Sequence, residues 1–199
     1  MNVKDIVSKA VLEISENWER ALARAENHRF VLSVSSIGPN SRLAHPNFIS
    51  GAKYMTIGKD FASGPGLRME CIEDFRGQKF SPELVIGDNV IFNYYCHVGV
   101  INKITLGNNV LIRSHVLITD HSHGVLERTD VPFVDRRLES KGEVIIGDNV
   151  WIGENACIMP WVRIGAGSII GANSVVTHDV PPYSLCVGVP AKIIRHLDS

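Results

Sequence analysis

From Ile146 to Val176 an aliphatic side chain returns at every sixth position: Ile146, Ile152, Ile158, Ile164, Ile170 and Val176. Glycine directly follows four of them (Gly147, Gly153, Gly165, Gly171), and Val150, Ala156, Val162, Ser168, Ser174 and Val180, all small or β-branched, stand four positions on. A period of six belongs to neither an α-helix nor a hairpin sheet. It specifies a solenoid of short flat strands, in which every sixth side chain points inward and stacks on its equivalent one coil away. Three strands make a coil of about 18 residues, with glycine and asparagine suited to the corners. The same register returns at Leu106, Ile112 and Ile118, at Ile86, Phe92 and Val98, and around Ile37-Gly38 and Ile57-Gly58. Ile37 to Ile57 and Ile86 to Leu106 each span 20 residues, so these early coils carry two extra residues at a corner. Larger interruptions near 69–83 and 124–142 are read as loops thrown out of the prism, where function commonly resides.

Ahead of the repeats, Ile6, Val7, Ala10, Val11, Ile14, Trp18, Ala21 and Leu22 recur at separations of three and four. They predict an amphipathic helix over residues 2 to about 26, in an N-terminal segment 1–30. Mixed charge on its polar face favours packing against the rest of the protein over docking on a membrane surface. A β-helix domain is expected over 31–199, with loop 124–142 projecting and a C-terminal tail, 181–199, containing a short helix.

With 199 residues, 20 Lys and Arg against 21 Asp and Glu, the chain suits one principal domain and lacks the basic field that a nucleic-acid backbone favours. No apolar run approaches the ~20 residues of a membrane span, and the N-terminus has no basic-then-apolar leader, so a cytoplasmic protein is expected. Cys71, Cys96, Cys157 and Cys186 form no CxxC pair, which argues against a zinc knuckle, a redox motif or a disulfide framework.

The hexads, continued by IIGDNVWIGENACIMPWVRIGAGSIIGANSVVTHDVPPYSLCVGVPAKIIR (145–195), resemble the hexapeptide-repeat acyltransferases, in particular sugar O-acetyltransferases of the galactoside, maltose and surface-polysaccharide types. ECIEDFRGQKFSPELVIGDNV (70–90) and ITDHSHG (118–124) are most similar to members associated with capsule or lipopolysaccharide biosynthesis. The resemblance implies a left-handed parallel β-helix, a homotrimer, and acetyl transfer from acetyl-CoA to a saccharide hydroxyl. Xenobiotic O-acetyl transfer and a non-catalytic or metal-binding scaffold are the competing readings.

Such a transfer needs a base to accept the hydroxyl proton, and histidine suits that role near neutrality. Two stand together at the mouth of the large loop. Counting from Ile118, and from Asn93 one coil earlier, the family's catalytic histidine registers on His123; a gap after Thr119 moves it to His121. His123 is preferred and His121 stays open. Asn93 matches the asparagine that contacts the acceptor. Coenzyme A contacts carried over by resemblance are Trp151 and Glu154 near the thioester, Ala172 along the pantetheine arm, Thr177 and His178 further on, and Lys192 and Arg195 towards the phosphates. Glu154, His178 and Lys192 depart from the galactoside-type pattern, and lysine for arginine keeps charge but loses the planar fork. His97 and His115, 18 residues apart, are placed to stack, and with His121 they invite comparison with zinc-binding carbonic anhydrases of this fold. No pair here has the short ligand spacing of that family, so no metal is expected.

Overall fold

The computed structural model describes residues 3–124 and 130–197. A helix over Val3–Ser33 leads into successive coils whose strands fall into three parallel sheets. The first sheet stacks Ser36–Ile37, Met55–Ile57, Glu83–Ile86, Lys103–Leu106, Val144–Ile146 and Arg163–Ile164. The second contains Ala62–Ser63, Ile91–Phe92, Leu111–Ile112, Trp151–Ile152, Ile169–Ile170 and Ser184–Gly188. The third contains Asn47–Ser50, Leu67–Cys71, His97–Val100, Leu117–Thr119, Cys157–Ile158 and Val175–Val176.

Register follows the hexads. Ile86 pairs with Leu106 and Leu106 with Ile146, Phe92 with Ile112 and Ile112 with Ile152, Val98 with Ile118 and Ile118 with Ile158. All these side chains are buried, forming three apolar columns that meet along the prism axis. The corners require left-handed backbone: Asn89, Asn109 and Asn149 have φ of 55°, 57° and 57°. Asparagine reaches that region more readily than other side-chain-bearing residues.

The two extra residues of the 20-residue coils sit between the third and first sheets. Val98 to Leu106 is eight positions, whereas Ile86 to Phe92 and Phe92 to Val98 are six each. The flanking strands, His97–Val100 and Lys103–Leu106, are correspondingly longer than the two-residue strands of the later coils. Because the coil height here is 20 residues, the partner of His97 is Leu117, not a residue 18 further on. The expected stacking of His97 with His115 is therefore corrected: His115 lies at a corner and stacks on Tyr95, rings 5.4 Å apart and 12° from parallel.

Both ends of the chain differ from expectation. The C-terminal tail is not helical: Ala191–His196 turns back antiparallel on Ser184–Gly188, covering the edge of the second sheet. A bulge opposite Leu185–Cys186 interrupts the pairing, and the cap supplies partners for an edge that would otherwise be open. The N-terminal helix runs seven residues beyond its expected end, to Ser33, and only its last turns touch the prism. Phe30 is buried there, Asn27 accepts the Leu43 N–H at 2.8 Å, and Glu26 meets His45 Nδ1 at 2.8 Å and Asn47 Nδ2 at 2.9 Å. The expected packing of its apolar face against the same chain does not occur, since Val7, Val11, Ile14 and Trp18 are all exposed.

Because Ile112 occupies the middle of one column with no exposure, Ile112→Ala should lower unfolding free energy by about 2–5 kcal/mol. Urea denaturation followed by circular dichroism measures this. Ile91→Ala, on the exposed face of the neighbouring coil, should change it by less than about 1 kcal/mol.

Candidate active site

Both interruptions of the repeat rise over the third sheet. Residues 72–82 form a hairpin pairing Asp74–Phe75 with Gln78–Lys79, and the larger arm pairs Ser122–His123 with Leu138–Glu139. They lean on each other. The Gln78 side chain donates to Leu138 O at 2.8 Å and accepts from Leu138 N at 3.0 Å, while Arg76 reaches Asp135 at 2.6 Å. Residues 125–129 of the arm lie outside the described residues.

Beneath this wall, a cleft of about 840 Å³ opens on the outward side of the third sheet. Its floor includes Arg68, Glu70, His97, Thr119 and His121, and its wall Phe75 and His123. The loops are needed because a strand as short as those of the later coils offers a single outward side chain, too little surface to enclose a ligand.

The most constrained group in the cleft is an aspartate–histidine pair that grows out of the long corner. Ile101 and Asn102 are the two inserted residues, and their N–H groups have no strand partner in the ladder. Asp120, fully buried, supplies it: Ile101 N donates to Oδ1 at 3.0 Å and Asn102 N to Oδ2 at 2.8 Å. The same carboxylate receives His121 Nδ1 at 2.9 Å, and the His121 side chain is only 12% exposed. An ionised carboxylate can only accept, so this bond assigns a proton to Nδ1, and in the neutral ring the lone pair is then on Nε2. That is the tautomer a general base requires.

His123 lies two residues further along the arm, exposed, with its ring edge-on to Phe75 at 5.5 Å. No described carboxylate orients it. A second imidazole–carboxylate pair occupies the floor: Glu70 receives His97 Nε2 at 3.0 Å and also Arg68 Nε. Burial holds the His97 pKa below its ordinary value, Arg68 adds to that, and the Glu70 bond opposes it. Burial likewise pushes Cys71, in the same cleft, up to about 12, which leaves it an inert thiol.

A second groove, of about 540 Å³, runs over the second sheet and brings together three residues named from sequence: Trp151, Glu154 and Ala172. Gly153, Ile169, Gly171 and Leu185 complete its floor, and Arg113 lies 3.7 Å from Glu154 at one end. Lys192 and Arg195 are on the C-terminal strand and not in the groove lining: Arg195 pairs with Leu185 of the floor and Lys192 with Val187. Thr177 and His178 are elsewhere, following the last strand of the third sheet, with Thr177 Oγ1 2.9 Å from His178 Nδ1. Asn93 holds the corner between second and third sheets, its N–H bonded to Ile112 O, and does not line the histidine cleft.

The bacterial transferase hexapeptide (six repeats) model matches residues 143–178. A protein of Escherichia coli K12 named as a lipopolysaccharide biosynthesis O-acetyl transferase, WbbJ, is 40% identical over 156 residues, covering 75% of this chain and 76% of that protein. The chain belongs to the hexapeptide-repeat acyltransferases. Galactoside O-acetyltransferase of the same organism is 35% identical over 124 residues, 60% of this chain and 57% of that one. Among solved structures, the maltose O-acetyltransferase of Clostridium difficile 630 superposes with a TM-score of 0.58 at 26% identity, covering 91% and 87% of the two chains. A point mutant of AntD, a Bacillus cereus N-acyltransferase solved with dTDP and coenzyme A, has a TM-score of 0.68 at 20% identity, over 84% and 86%, and shares the fold.

In this acyltransferase, sequence reasoning missed Asp120 and Glu70. Asp120 was legible as the acidic neighbour of His121, but its role depends on the corner N–H groups of the preceding coil, which lie 18 and 19 positions back. No helix among the described residues is long and apolar enough to cross a membrane, and no metal-binding cluster of His, Cys, Asp and Glu occurs among them.

Asp120→Ala strands one buried and one part-buried backbone donor, so the variant should lose about 2–3 kcal/mol of stability. His121→Ala, which leaves those bonds intact, should lose about 1 kcal/mol or less. Guanidinium titrations of the two variants side by side test this.

Proposed function

We propose that this acyltransferase moves an acetyl group from acetyl-CoA to a hydroxyl of a sugar or surface-polysaccharide precursor, with His121 as general base. The Asp120–His121 pair at the floor of the cleft carries this reading. Its imidazole is already in the proton-accepting tautomer and oriented by a carboxylate that is itself fastened to two backbone groups. His123 remains the choice that the simplest sequence register prefers, but its exposed ring lacks a described orienting carboxylate.

The acceptor hydroxyl oxygen attacks the thioester carbonyl carbon while its proton passes to His121 Nε2. The tetrahedral adduct then expels the thiolate, which takes that proton from the imidazolium and leaves as coenzyme A. Asp120 holds the ring throughout and steadies the transient positive charge. The cleft suits a neutral polyhydroxyl acceptor: Glu70 and the imidazoles offer directional partners for hydroxyl groups, and Phe75 offers an apolar wall. The name of WbbJ supports an acceptor in lipopolysaccharide synthesis.

Coenzyme A fits the groove over the second sheet. Trp151, Ile169, Ala172 and Leu185 give apolar surface for the methylenes of the pantetheine arm, and Arg113, Lys192 and Arg195 give positive charge towards its ends. The groove and the histidine cleft lie on different sheets of one chain, which supports a homotrimer in which the cleft of one copy faces the groove of the next. The coils are inferred to wind left-handed, as the family resemblance implies.

His121→Ala should reduce kcat by about 10²–10⁴-fold with coenzyme A affinity nearly unchanged, and His123→Ala should stay within a few-fold of wild type, about 10-fold at most. Acetyl transfer to a panel of sugars, read as coenzyme A release, separates them; an inactive His123→Ala with a fully active His121→Ala would return the role to His123. Asp120→Asn should lower kcat by about 10²-fold through loss of ring orientation. Coexpression of His121→Ala chains with Ala172→Trp chains should restore activity at about a quarter of sites by random assortment, because each restored site then draws an intact half from each chain. Two inactive parents that stay inactive when coassembled would refute the shared site.

A further inference from the structure

The N-terminal helix has two faces, and only one is occupied by its own chain. Glu26, Asn27 and Phe30 fasten the last turns to the first coils. Val7, Val11, Ile14 and Trp18 point away from that face, at 55%, 58%, 69% and 64% exposure. At about 100° per residue the two sets are separated by roughly 140° around the helix axis. The exposed line continues through Ala21, Ala25, His28 and Leu32, with Leu32 at 73%.

The spacing of this line identifies what would cover it. Positions 7, 11, 14, 18, 21, 25, 28 and 32 alternate steps of four and three without a break, a heptad seam about 37 Å long. A seam that narrow and that regular fits another helix of the same twist, supercoiled left-handed with it. Charge points the same way. The residues flanking the seam along its outer half, Ser8, Ala10, Ser15 and Asn17, are uncharged, while Lys9, Glu13 and Glu16 face outward. Between Val7 and Trp18, identical helices therefore meet in parallel without like charges opposed, whereas Lys4 takes the next seam position outward and Arg24 and Arg29 flank the seam nearer the prism. The helix has five acidic and five basic side chains, and no basic rim flanks the outer half of the seam, where an anionic lipid surface would need one.

We infer that the Val7–Leu32 seam is an interface with other copies of this chain, forming a parallel, in-register coiled coil that extends the assembly beyond the prism. The inference rests on the homotrimer reading, since prisms set side by side about one axis send their helices out at the same end.

Single cysteines test it. Parallel, in-register helices place each seam residue opposite itself, so Val11→Cys and Ile14→Cys should form disulfide-linked dimers on mild oxidation. Glu16→Cys, on the opposite side of the helix, should not. The unsubstituted protein, whose cysteines are Cys71, Cys96, Cys157 and Cys186, is the control. Circular dichroism and sedimentation of each variant show that it is folded and report its assembly. A sedimenting trimer whose seam cysteines stay unlinked, or whose Glu16→Cys links as readily, overturns the coiled coil while leaving the trimer standing. A monomer overturns both. Flotation with phosphatidylglycerol vesicles, in a protein whose seam cysteines remain unlinked, would assign the face to lipid instead and also overturn the inference.

Discussion

The backbone ladder between coils governs the molecule. Every strand bonds to the equivalent strand of the next coil, so outward side chains are set at heights fixed by the ~4.8 Å strand separation. The ladder holds because the inward columns are apolar and continuous: one coil shifted by one residue would turn its buried side chains outward and its polar ones into the axis. Corners absorb the remaining freedom, and the left-handed Asn89, Asn109 and Asn149 mark one of them along successive coils. A prism so constrained is rigid, and rigidity is what a pair of reacting groups held in place requires.

The proposed base sits where the ladder is relaxed. Two extra residues at the corner between third and first sheets leave the Ile101 and Asn102 N–H groups without strand partners, and Asp120 of the next coil satisfies both. The bond that repairs the corner also fixes His121. The corner and the imidazole thus share one carboxylate, so the floor of the cleft cannot be rearranged without disturbing the coil below. Above it, the short hairpin and the long arm brace one another through Gln78 and Leu138, so neither loop depends on the prism alone for its position.

The ends of the chain follow a different logic from the coils. Ala191–His196 closes the second sheet by pairing antiparallel, which satisfies an edge from within the chain. The N-terminal helix, in contrast, is fastened at one end and leaves an apolar heptad line outside. Its attachment through Phe30 and Asn27 sets where the helix leaves the prism, while its outer face is matched to a partner with the same repeat.

Sequence alone determined the solenoid, its register and its irregular coils, because a six-residue period in Ile146 to Val176 and the 20-residue steps at Ile37 and Ile86 admit one stacking scheme. It also named, through the family resemblance it carries, Trp151, Glu154 and Ala172, which the fold brings into one groove. It misjudged the tail, where the Ala-Lys-Ile-Ile run reads equally as helix or strand until the open edge of the second sheet recruits it. Its register preferred His123 and left His121 open, two residues apart in one loop. The hydrogen bonds that orient His121 belong to the tertiary structure, because only folding brings positions 101, 102 and 120 to one corner.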